Sequence, residues 1–426
     1  MAELAIHGGP PVWSGSWPPW PQAGSGTLAS LDAVLASGRW AISGPWSGEE
    51  TRDQRFCRRF ADYLGCRHAL LVDHGSSALV AALLALGVEP GQEVIVPGLT
   101  WVACATAVLR VNAIPVLVDV EPETLCLSPD AVAAAITPRS AAVLAVHLYS
   151  AMAAMDRLRE LSEHHGLALI EDAAQAHGAE WGGRRAGSLG DVGTFSFQQG
   201  KVLTCGEGGA IVTSDADLAA RLERLRSDGR HYRPDAPPPG HPHLVESSLL
   251  QGFNFCLSEL QAAVLLDGFE RLEEQTERRA AAADRLTSLL AAVEGLEPIR
   301  PHAANNRRAY YHYAVRFHPE AFAGCSAAVL CRALAAELGL WVHATYPPLD
   351  VHPLYQPERY PALAPQLRSR LQPRPRLPEA HRQHARTLLF HHPALLAEPA
   401  AIEAVAEAFA KIRRHRGELE RIAEGA

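Results

Sequence analysis

Residues 193–209 read Gly-Thr-Phe-Ser-Phe-Gln-Gln-Gly-Lys-Val-Leu-Thr-Cys-Gly-Glu-Gly-Gly, an apolar run that passes into a glycine-rich loop containing Lys201. A lysine with hydrophobic flanks and small neighbours is hard to keep charged, because burial penalises the ammonium ion relative to the neutral amine. The neutral amine is the form that attacks a carbonyl carbon to make a Schiff base. The stretch therefore predicts a strand that leads into a loop with a reactive lysine.

A second polar group ends the apolar run Leu-Ala-Leu-Ile-Glu-Asp at residues 167–172. A lysine and an aspartate at strand ends are the two protein groups that pyridoxal 5′-phosphate requires, one as imine partner and one as partner of the pyridinium nitrogen. Asp172 could instead cap the next helix, as aspartates at strand ends often do. If it serves the cofactor, Gln175 could hydrogen-bond the phenolic oxygen of the ring.

Between residues 68 and 214, short apolar runs alternate with segments of helical periodicity. This alternation is typical of a mainly parallel sheet covered on both faces, and it predicts an α/β fold with a seven-stranded sheet. Ligands of such sheets collect beyond the carboxyl ends of the strands. The predicted strands are His68–Asp73, Glu93–Pro97, Ile114–Val120, Ala141–Tyr149, Leu167–Asp172, Val192–Phe197 and Gly208–Ser214. The predicted helices between them include Ser77–Leu86, Pro129–Ile136 and Met155–His165.

The chain of 426 residues is long enough for two domains. We predict an N-terminal arm over residues 1–25, a large domain over 26–274 and a smaller C-terminal α+β domain over 275–426. The arm is rich in proline, glycine and tryptophan. We expect it to be ordered and packed on the body, because three tryptophans are costly to leave in water.

Four features of the second half of the chain are predicted from local patterns. A Pro- and His-rich stretch, residues 230–252, is typical of a long surface loop. A long helix, Ser258–Leu289, is expected to carry the chain into the second domain. That domain should contain a strand at Tyr310–Phe317 and a final helix at Ala400–Glu424.

Composition excludes several classes of function. The net charge of −8 argues against a nucleic-acid partner or an anionic membrane surface, and no apolar stretch reaches transmembrane length. The eight cysteines form no zinc spacing and are typical of reduced core residues in a cytoplasmic protein. No metal site is expected, and His147 is better interpreted as a satisfied buried histidine than as a catalytic one.

Three further segments provide candidate cofactor contacts. The stretch Asp-His-Gly-Ser-Ser at residues 73–77 follows a strand and opens a helix, so Ser76, Ser77 and free backbone N–H groups could bind a phosphate. Ordinary N-capping by a serine explains the same pattern at least as well. Trp101, beyond another strand, could stack on a flat ring or pack in the core. Ser196 could reach the phosphate from the strand that precedes the lysine.

Taken together, these segments resemble the DegT/DnrJ/EryC1/StrS family of sugar aminotransferases, which have the fold-type I architecture of pyridoxal-phosphate enzymes. The resemblance covers nearly the whole chain, and its motifs are Glu171-Asp-Ala-Ala-Gln-Ala-His-Gly178, Thr194-Phe-Ser-Phe-Gln-Gln-Gly-Lys201 and Gly252-Phe-Asn-Phe255. It implies that Lys201 is the Schiff-base lysine, Asp172 the ring-nitrogen partner and Gln175 the ring-oxygen partner. It further implies stacking by Trp101, phosphate contacts from Ser76, Ser77 and Ser196, and an obligate homodimer in which Asn254 reaches the neighbouring subunit's phosphate.

Within that family, the segments Arg39–Gly44, Gln198–Thr204, Tyr346–Leu349 and Phe390–Leu396 are similar to the glutamine-dependent scyllo-inosose aminotransferases of aminoglycoside biosynthesis. This resemblance implies L-glutamine as amino donor and a cyclitol ketone as acceptor. A sugar-nucleotide aminotransferase and an aminohydroxybenzoate-type lyase remain open, since both keep the lysine. A dehydratase is disfavoured, because those relatives place histidine where Lys201 stands.

The chain departs from the family pattern at three places. Asp73-His74 stands where small or hydroxylated residues are usual, and Ser150-Ala151 replaces a usual glycine. Cys205 takes a position usually held by serine or alanine. None of these changes removes a group that the resemblance assigns to catalysis.

Overall fold

The computed structural model describes residues 3–371 and 375–422. Its strands are β1 His68–Val72, β2 Glu93–Pro97, β3 Ile114–Val118, β4 Ser140–Val146, β5 Ala168–Asp172, β6 Glu180–Trp181, β7 Arg184–Arg185, β8 Val192–Ser196, β9 Gly209–Thr213, β10 His231–Tyr232, β11 Leu244–Val245, β12 Leu296–Pro298, β13 His312–Phe317, β14 Val342–Ala344 and β15 Thr387–His391. Its α-helices are α1 Thr27–Ser37, α2 Arg52–Leu64, α3 Gly75–Ala85, α4 Ala103–Arg110, α5 Pro129–Ala135, α6 Met155–His165, α7 Ala216–Arg226, α8 Glu259–Phe269, α9 Leu272–Leu290, α10 Ala327–Leu338, α11 Pro365–Arg368, α12 Pro378–Arg386 and α13 Pro399–Arg414.

The larger sheet of the described chain has seven strands in the order β1-β9-β8-β5-β4-β2-β3. Pairing is parallel from β3 through β2, β4 and β5 to β8, whereas β9 runs antiparallel to both β8 and β1. Every predicted strand between residues 68 and 214 is present, with ends shifted by at most three residues. The α/β architecture with a mainly parallel seven-stranded sheet is therefore confirmed, and it is the fold-type I architecture. The carboxyl ends of β1, β2, β5 and β8 meet at one edge of this sheet.

A second, antiparallel sheet has the order β12-β13-β15-β14 and packs against α9, α10 and α13 around its own apolar core. Helices and an antiparallel sheet thus occur together in the C-terminal part, as predicted. Residues of the segment 349–380, such as Leu363 and Leu377, belong to the core of the larger sheet instead. The division of the chain at residue 275 stays a prediction.

Two helix predictions in the second half of the chain are wrong in extent. The helix predicted over Ser258–Leu289 is interrupted between Phe269 and Leu272, where Gly268, a poor helix former, lies in the last turn of α8. The final helix ends at Arg414 rather than Glu424, because a 3-10 turn over Arg416–Arg421 follows and contains Gly417. Residues 423–426 of that prediction lie outside the described chain.

The remaining local predictions agree with the structure. The strand expected at Tyr310–Phe317 begins two residues later, at His312. The stretch 230–252 is a loop apart from the two-residue pairing of β10 with β11. In the described residues, no helix has both the length and the apolar composition needed to cross a membrane.

The N-terminal arm is ordered on the body over its described residues, as expected from its tryptophans. The Trp17 indole N–H donates to the Leu338 carbonyl at 2.7 Å. The buried Glu337 carboxylate accepts from the backbone N–H groups of Ala5 and Val12, and it pairs with Lys411 at 2.8 Å. These contacts attach the arm to α10 and α13.

Candidate active site

A cavity of about 500 Å³ opens at the edge where the four parallel strand ends meet. Residues of the second sheet and its loops close the opposite side. Six of the predicted site residues line this cavity together: Ser76, Trp101, Asp172, Gln175, Ser196 and Lys201. The fold thus brings together groups that are up to 125 residues apart in sequence.

Lys201 extends into this cavity from the loop after β8. Its amine lies 4.2 Å from the centre of the Tyr311 ring. Burial lowers the pKa of Lys201 to about 8, although the charges of Asp172 and Cys104 act in the opposite direction. The chain has only two lysines. Because Lys411 is held in its buried ion pair with Glu337, Lys201 is the one lysine whose surroundings favour the neutral amine.

Asp172, at the end of β5, is buried and held by two hydrogen bonds. Its Oδ1 accepts from the backbone N–H of Ala174 at 3.0 Å, and its Oδ2 accepts from the Cys104 thiol at 3.2 Å. Burial and the neighbouring carboxylate raise the pKa of Cys104 well above its usual range, so the thiol stays protonated and donates. The carboxylate therefore has a fixed orientation at the cavity wall.

Gln175 forms a hydrogen-bond network with Tyr149 and Tyr346, which the sequence did not predict. Its Oε1 accepts from the backbone N–H of Tyr149 at 3.2 Å, and its Nε2 donates to the Tyr346 hydroxyl at 3.4 Å. The Tyr149 hydroxyl in turn accepts from the backbone N–H of Tyr346 at 2.9 Å. Trp101 lies 5.4 Å from the Tyr346 ring, lines the cavity and is 46% exposed.

The other end of the cavity has the features of an anion site. Helix α3 begins at Gly75, and no side chain caps its N-terminus. A Cβ on Gly75 would lie 2.8 Å from the Cβ of Ser196, so only glycine allows the helix end to approach β8 this closely. Uncapped N–H groups, the helix dipole and the hydroxyls of Ser76 and Ser196 fit the phosphate of the expected cofactor.

Two predicted residues are not among those that line the cavity. Ser77 lies in the first turn of α3 but is buried with 4% of its surface exposed. Asn254 is exposed and forms a bridge with Ser227, which does not line the cavity either. A contact of Asn254 with a neighbouring subunit stays a prediction.

His147 is a satisfied core histidine, as expected. Its Nε2 lies 2.9 Å from Oε2 of Glu171, and its Nδ1 accepts from the backbone N–H of Ala153 at 3.2 Å. The same Glu171 accepts from the N–H groups of Gly187 and Gly190 at 2.9 and 2.7 Å. The His147–Glu171 pair therefore supports the end of β5, and neither residue lines the cavity.

The departures from the family pattern are accommodated locally. Ser150 has a φ of +72°, a region that favours glycine, and Arg308 donates to its hydroxyl at 2.7 Å and to its carbonyl at 3.2 Å. His74 lies 3.1 Å from the Glu207 carboxylate at the cavity rim. In the described chain, no group of His, Cys, Asp or Glu side chains has the arrangement of a metal site.

Sequence reasoning missed much of the cavity's far wall. Tyr311, His312, His343 and His391, together with Trp341, line it from the second sheet. The residues at positions 346 and 391 stood in segments that carried the family resemblance, but no local pattern showed that they face Lys201. The antiparallel register of β13 with β15 places His312 opposite His391, which becomes visible only after folding.

Comparison with known proteins shows that the chain is similar to aminotransferases over nearly its whole length. The chain is 50% identical to an L-glutamine:2-deoxy-scyllo-inosose aminotransferase of Streptoalloteichus tenebrarius, over 98% of this chain and 99% of that protein. It is 47% identical to an L-glutamine:scyllo-inosose aminotransferase of Streptomyces griseus, over 96% of this chain and 97% of that one.

The crystal structure of a 3-amino-5-hydroxybenzoic acid synthase matches with a TM-score of 0.80 at 32% identity, covering 95% of this chain and 100% of that chain. The model of the DegT/DnrJ/EryC1/StrS aminotransferase family matches residues 22–406. The relatives and the family model together span the lysine loop, the strand-end aspartate and the cavity described above. This chain belongs to the DegT/DnrJ/EryC1/StrS aminotransferase family.

Proposed function

We propose that this enzyme transfers the amino group of L-glutamine to the ring ketone of a scyllo-inosose-type cyclitol, with 2-deoxy-scyllo-inosose as the first candidate, in aminoglycoside biosynthesis. The names of the relatives at 50% and 47% identity support this choice of donor and acceptor. The structural observation that carries it is a cavity in which a lysine with a lowered pKa and a buried aspartate lie together, and whose described lining contains no other lysine and no arginine.

The cavity residues fit pyridoxal 5′-phosphate as cofactor. Lys201 would hold its aldehyde carbon, Asp172 its ring nitrogen and Gln175 its ring oxygen. Trp101 would stack on the ring, and the α3 N-terminus with the hydroxyls of Ser76 and Ser196 would hold the phosphate. Ser77, buried in the first turn of α3, would contribute its backbone N–H. When bound, this cofactor supplies a carbonyl for the amino groups of lysine and substrate, and a ring that accepts the electron pair of a broken C–H bond.

The protein itself supplies orientation and proton transfer. The Lys201 amine would act as general base and then as general acid: it would take the proton from the donor's α-carbon and hold it for return. A pKa of about 8 suits this role, because a general base works best when its pKa lies near the working pH. Trp101, Tyr311 and Tyr346 give the cavity aromatic walls.

The charge of the cavity favours an uncharged acceptor. Among the described residues that line it, Lys201 is the sole lysine or arginine. Burial lowers the pKa of His391 to about 4 and the pKa of His312 and His343 below the usual range, so these imidazoles are neutral at pH 7. A nucleotide diphosphate needs arginine or lysine side chains, whereas neutral imidazoles and tyrosine hydroxyls suit a polyol.

A homodimer and a cytoplasmic location are also part of the proposal. In the dimer, Asn254 of one subunit would reach the phosphate held by the other. Its exposure and its absence from the lining of its own chain's cavity agree with that role. A sedimentation measurement of the purified protein tests the dimer directly.

Two half-reactions test the substrate assignment. Purified holoenzyme should lose the absorbance of the lysine-bound cofactor on addition of L-glutamine, and then regain it with 2-deoxy-scyllo-inosose or scyllo-inosose. A nucleotide-linked keto-sugar should not restore it. Recovery with the nucleotide-linked sugar alone would contradict the acceptor assignment, and formation of an aromatic product would favour the lyase.

A further inference from the structure

The backbone around Lys201 is held by side-chain rings from two distant parts of the chain. The Trp20 indole N–H lies 3.1 Å from both the Gln199 and the Lys201 carbonyl oxygen. Nε2 of His391 and Nε2 of His392 lie 2.9 and 3.0 Å from the carbonyl oxygen of Gly200. Three successive carbonyl groups thus accept hydrogen bonds from the arm and from the end of β15.

These donors matter because the segment has little support of its own. Residues 197–203 belong to no helix or strand. The bonds within it are the Lys201 N–H to the Gln198 carbonyl and the Gly200 N–H to the Gln198 side chain, both at 2.8 Å. The three rings therefore add hydrogen-bond partners from outside the segment to the carbonyls of residues 199–201.

The donor rings also contact one another and a nearby arginine. The edge of the Trp20 ring meets the His392 ring with centroids 4.5 Å apart, and the Arg279 guanidinium lies 5.4 Å from the centre of the Trp20 ring. Because both histidines approach one carbonyl oxygen through Nε2, each carries its proton there. Burial lowers the pKa of His391 to about 4 and of His392 well below the usual range, so both are neutral donors at pH 7.

We propose that Trp20, His391 and His392 are positioning residues for Lys201: their N–H groups fix the carbonyls on either side of it and so set the place of its amine in the cavity. The inference rests on the proposed role of that lysine. It also gives the Trp/Pro-rich arm a function, since the arm contributes one of the three rings.

The first test compares Trp20→Phe with Trp17→Phe. Both variants lose one indole N–H bond of an arm tryptophan, but the Trp17 bond goes to Leu338, away from the lysine loop. The rate of Lys201 acetylation by acetic anhydride is measured against pH in cofactor-free protein, with the Lys411 peptide as internal reference. Both substitutions leave in place the titratable groups near the Lys201 amine: Asp172, Cys104, His177, Tyr311, His312 and His391.

We expect the midpoint for Lys201, near pH 8 in the parent protein, to move upward in Trp20→Phe because the freed amine reaches water. The glutamine half-reaction of the holoenzyme should slow by about 10- to 100-fold, since small misplacements of a catalytic group have effects of this size. Trp17→Phe should leave both readouts unchanged. If Trp20→Phe and Trp17→Phe had the same acetylation midpoint and the same half-reaction rate, the proposal would be overturned.

The second test uses His391 and remains informative if Trp20→Phe fails to fold. His391→Gln can place an amide N–H near the position of Nε2, whereas His391→Phe keeps a ring without a donor. We expect the pH midpoint of Lys201 acetylation in His391→Gln to equal that of the parent protein. In His391→Phe we expect the midpoint to differ from the parent's. Similar midpoints in both variants would refute positioning by His391. The acetylation test uses cofactor-free protein, so its result does not depend on the proposed function. Failure of the proposed function would appear separately, as parent protein that binds no cofactor on Lys201.

Discussion

Lys201 is chemically distinct from Lys411 because of its surroundings. One lysine lies over an aromatic ring in a cavity, and the other is neutralised by a buried carboxylate. Replacing Lys201 by alanine should lower transamination by about 10⁴-fold or more, because the general base and the covalent anchor disappear together. Steady-state assays with glutamine measure this loss.

The matched control is Lys411→Arg, which keeps the positive charge beside Glu337. It should retain activity close to that of the parent protein. If Lys201→Ala retained full activity while folded, the assignment of the base would be wrong.

Asp172 is expected to act through its charge. Its orientation comes from the Ala174 N–H, which donates to Oδ1, and from the Cys104 thiol, which donates to Oδ2. Asp172→Asn should keep the shape and lower the turnover rate by about 10²-fold or more, because charge stabilisation in the reacting state is lost. Circular dichroism would confirm the fold, and an unchanged turnover rate would contradict the role.

At the residue scale, the sequence indicated the groups that follow predicted strands. Lys201 and Asp172 could be found because an apolar run ends beside each of them. Tyr149, Tyr346 and Trp20 could not be assigned to the site, since their partners are 26 to 197 residues away. Such contacts depend on tertiary packing, which local patterns do not encode.

At the scale of elements, the strands of the larger sheet were predictable because buried parallel strands are continuous apolar runs. The interruption between α8 and α9 was not, since Gly268 sits inside an otherwise helical pattern. The second sheet was only partly predictable: β12 and β14 have three residues each, too few for a periodic signal.

The start of α8 supports an element-scale prediction. Ser258 caps the helix, and its hydroxyl accepts from the Gln261 N–H at 3.3 Å in a capping box. Ser258→Ala should lower the free energy of unfolding by about 1 kcal/mol, because orphan N–H groups lose their partner. Denaturant titration measures the change.

The control for this prediction is Ser288→Ala in the exposed part of α9, where the serine bonds back to the Asp284 carbonyl within its own helix. It should change the unfolding free energy by less than about 0.5 kcal/mol. An equal loss of unfolding free energy in Ser258→Ala and Ser288→Ala would contradict a stabilising role of the Ser258 cap.

At the scale of the whole molecule, one buried carboxylate joins the arm to the C-terminal helices. Glu337 is fully buried, pairs with Lys411 at 2.8 Å and accepts from two N–H groups of the arm. Glu337→Ala should destabilise the protein by about 3–5 kcal/mol, because it leaves the buried Lys411 ammonium with the Pro10 carbonyl but without its counter-charge. Glu407→Ala removes the exposed pair with Arg414 instead and should cost less than about 1 kcal/mol.

Thermal and denaturant unfolding measure the stability of Glu337→Ala and Glu407→Ala relative to the parent protein. Loss of the arm contacts should also affect Trp20, so Glu337→Ala is expected to slow the glutamine half-reaction while Glu407→Ala is not. Equal stability of the two variants would contradict the role assigned to the buried pair.

The central claim is that Lys201 carries the cofactor, and the scarcity of lysine makes its test direct. Holoenzyme is reduced with borohydride, digested and analysed by mass spectrometry, so that any cofactor adduct is assigned to one of the two lysine peptides. We predict one adduct per chain on the peptide that contains Lys201 and none on the Lys411 peptide. An adduct on Lys411, or on neither lysine, would contradict the account.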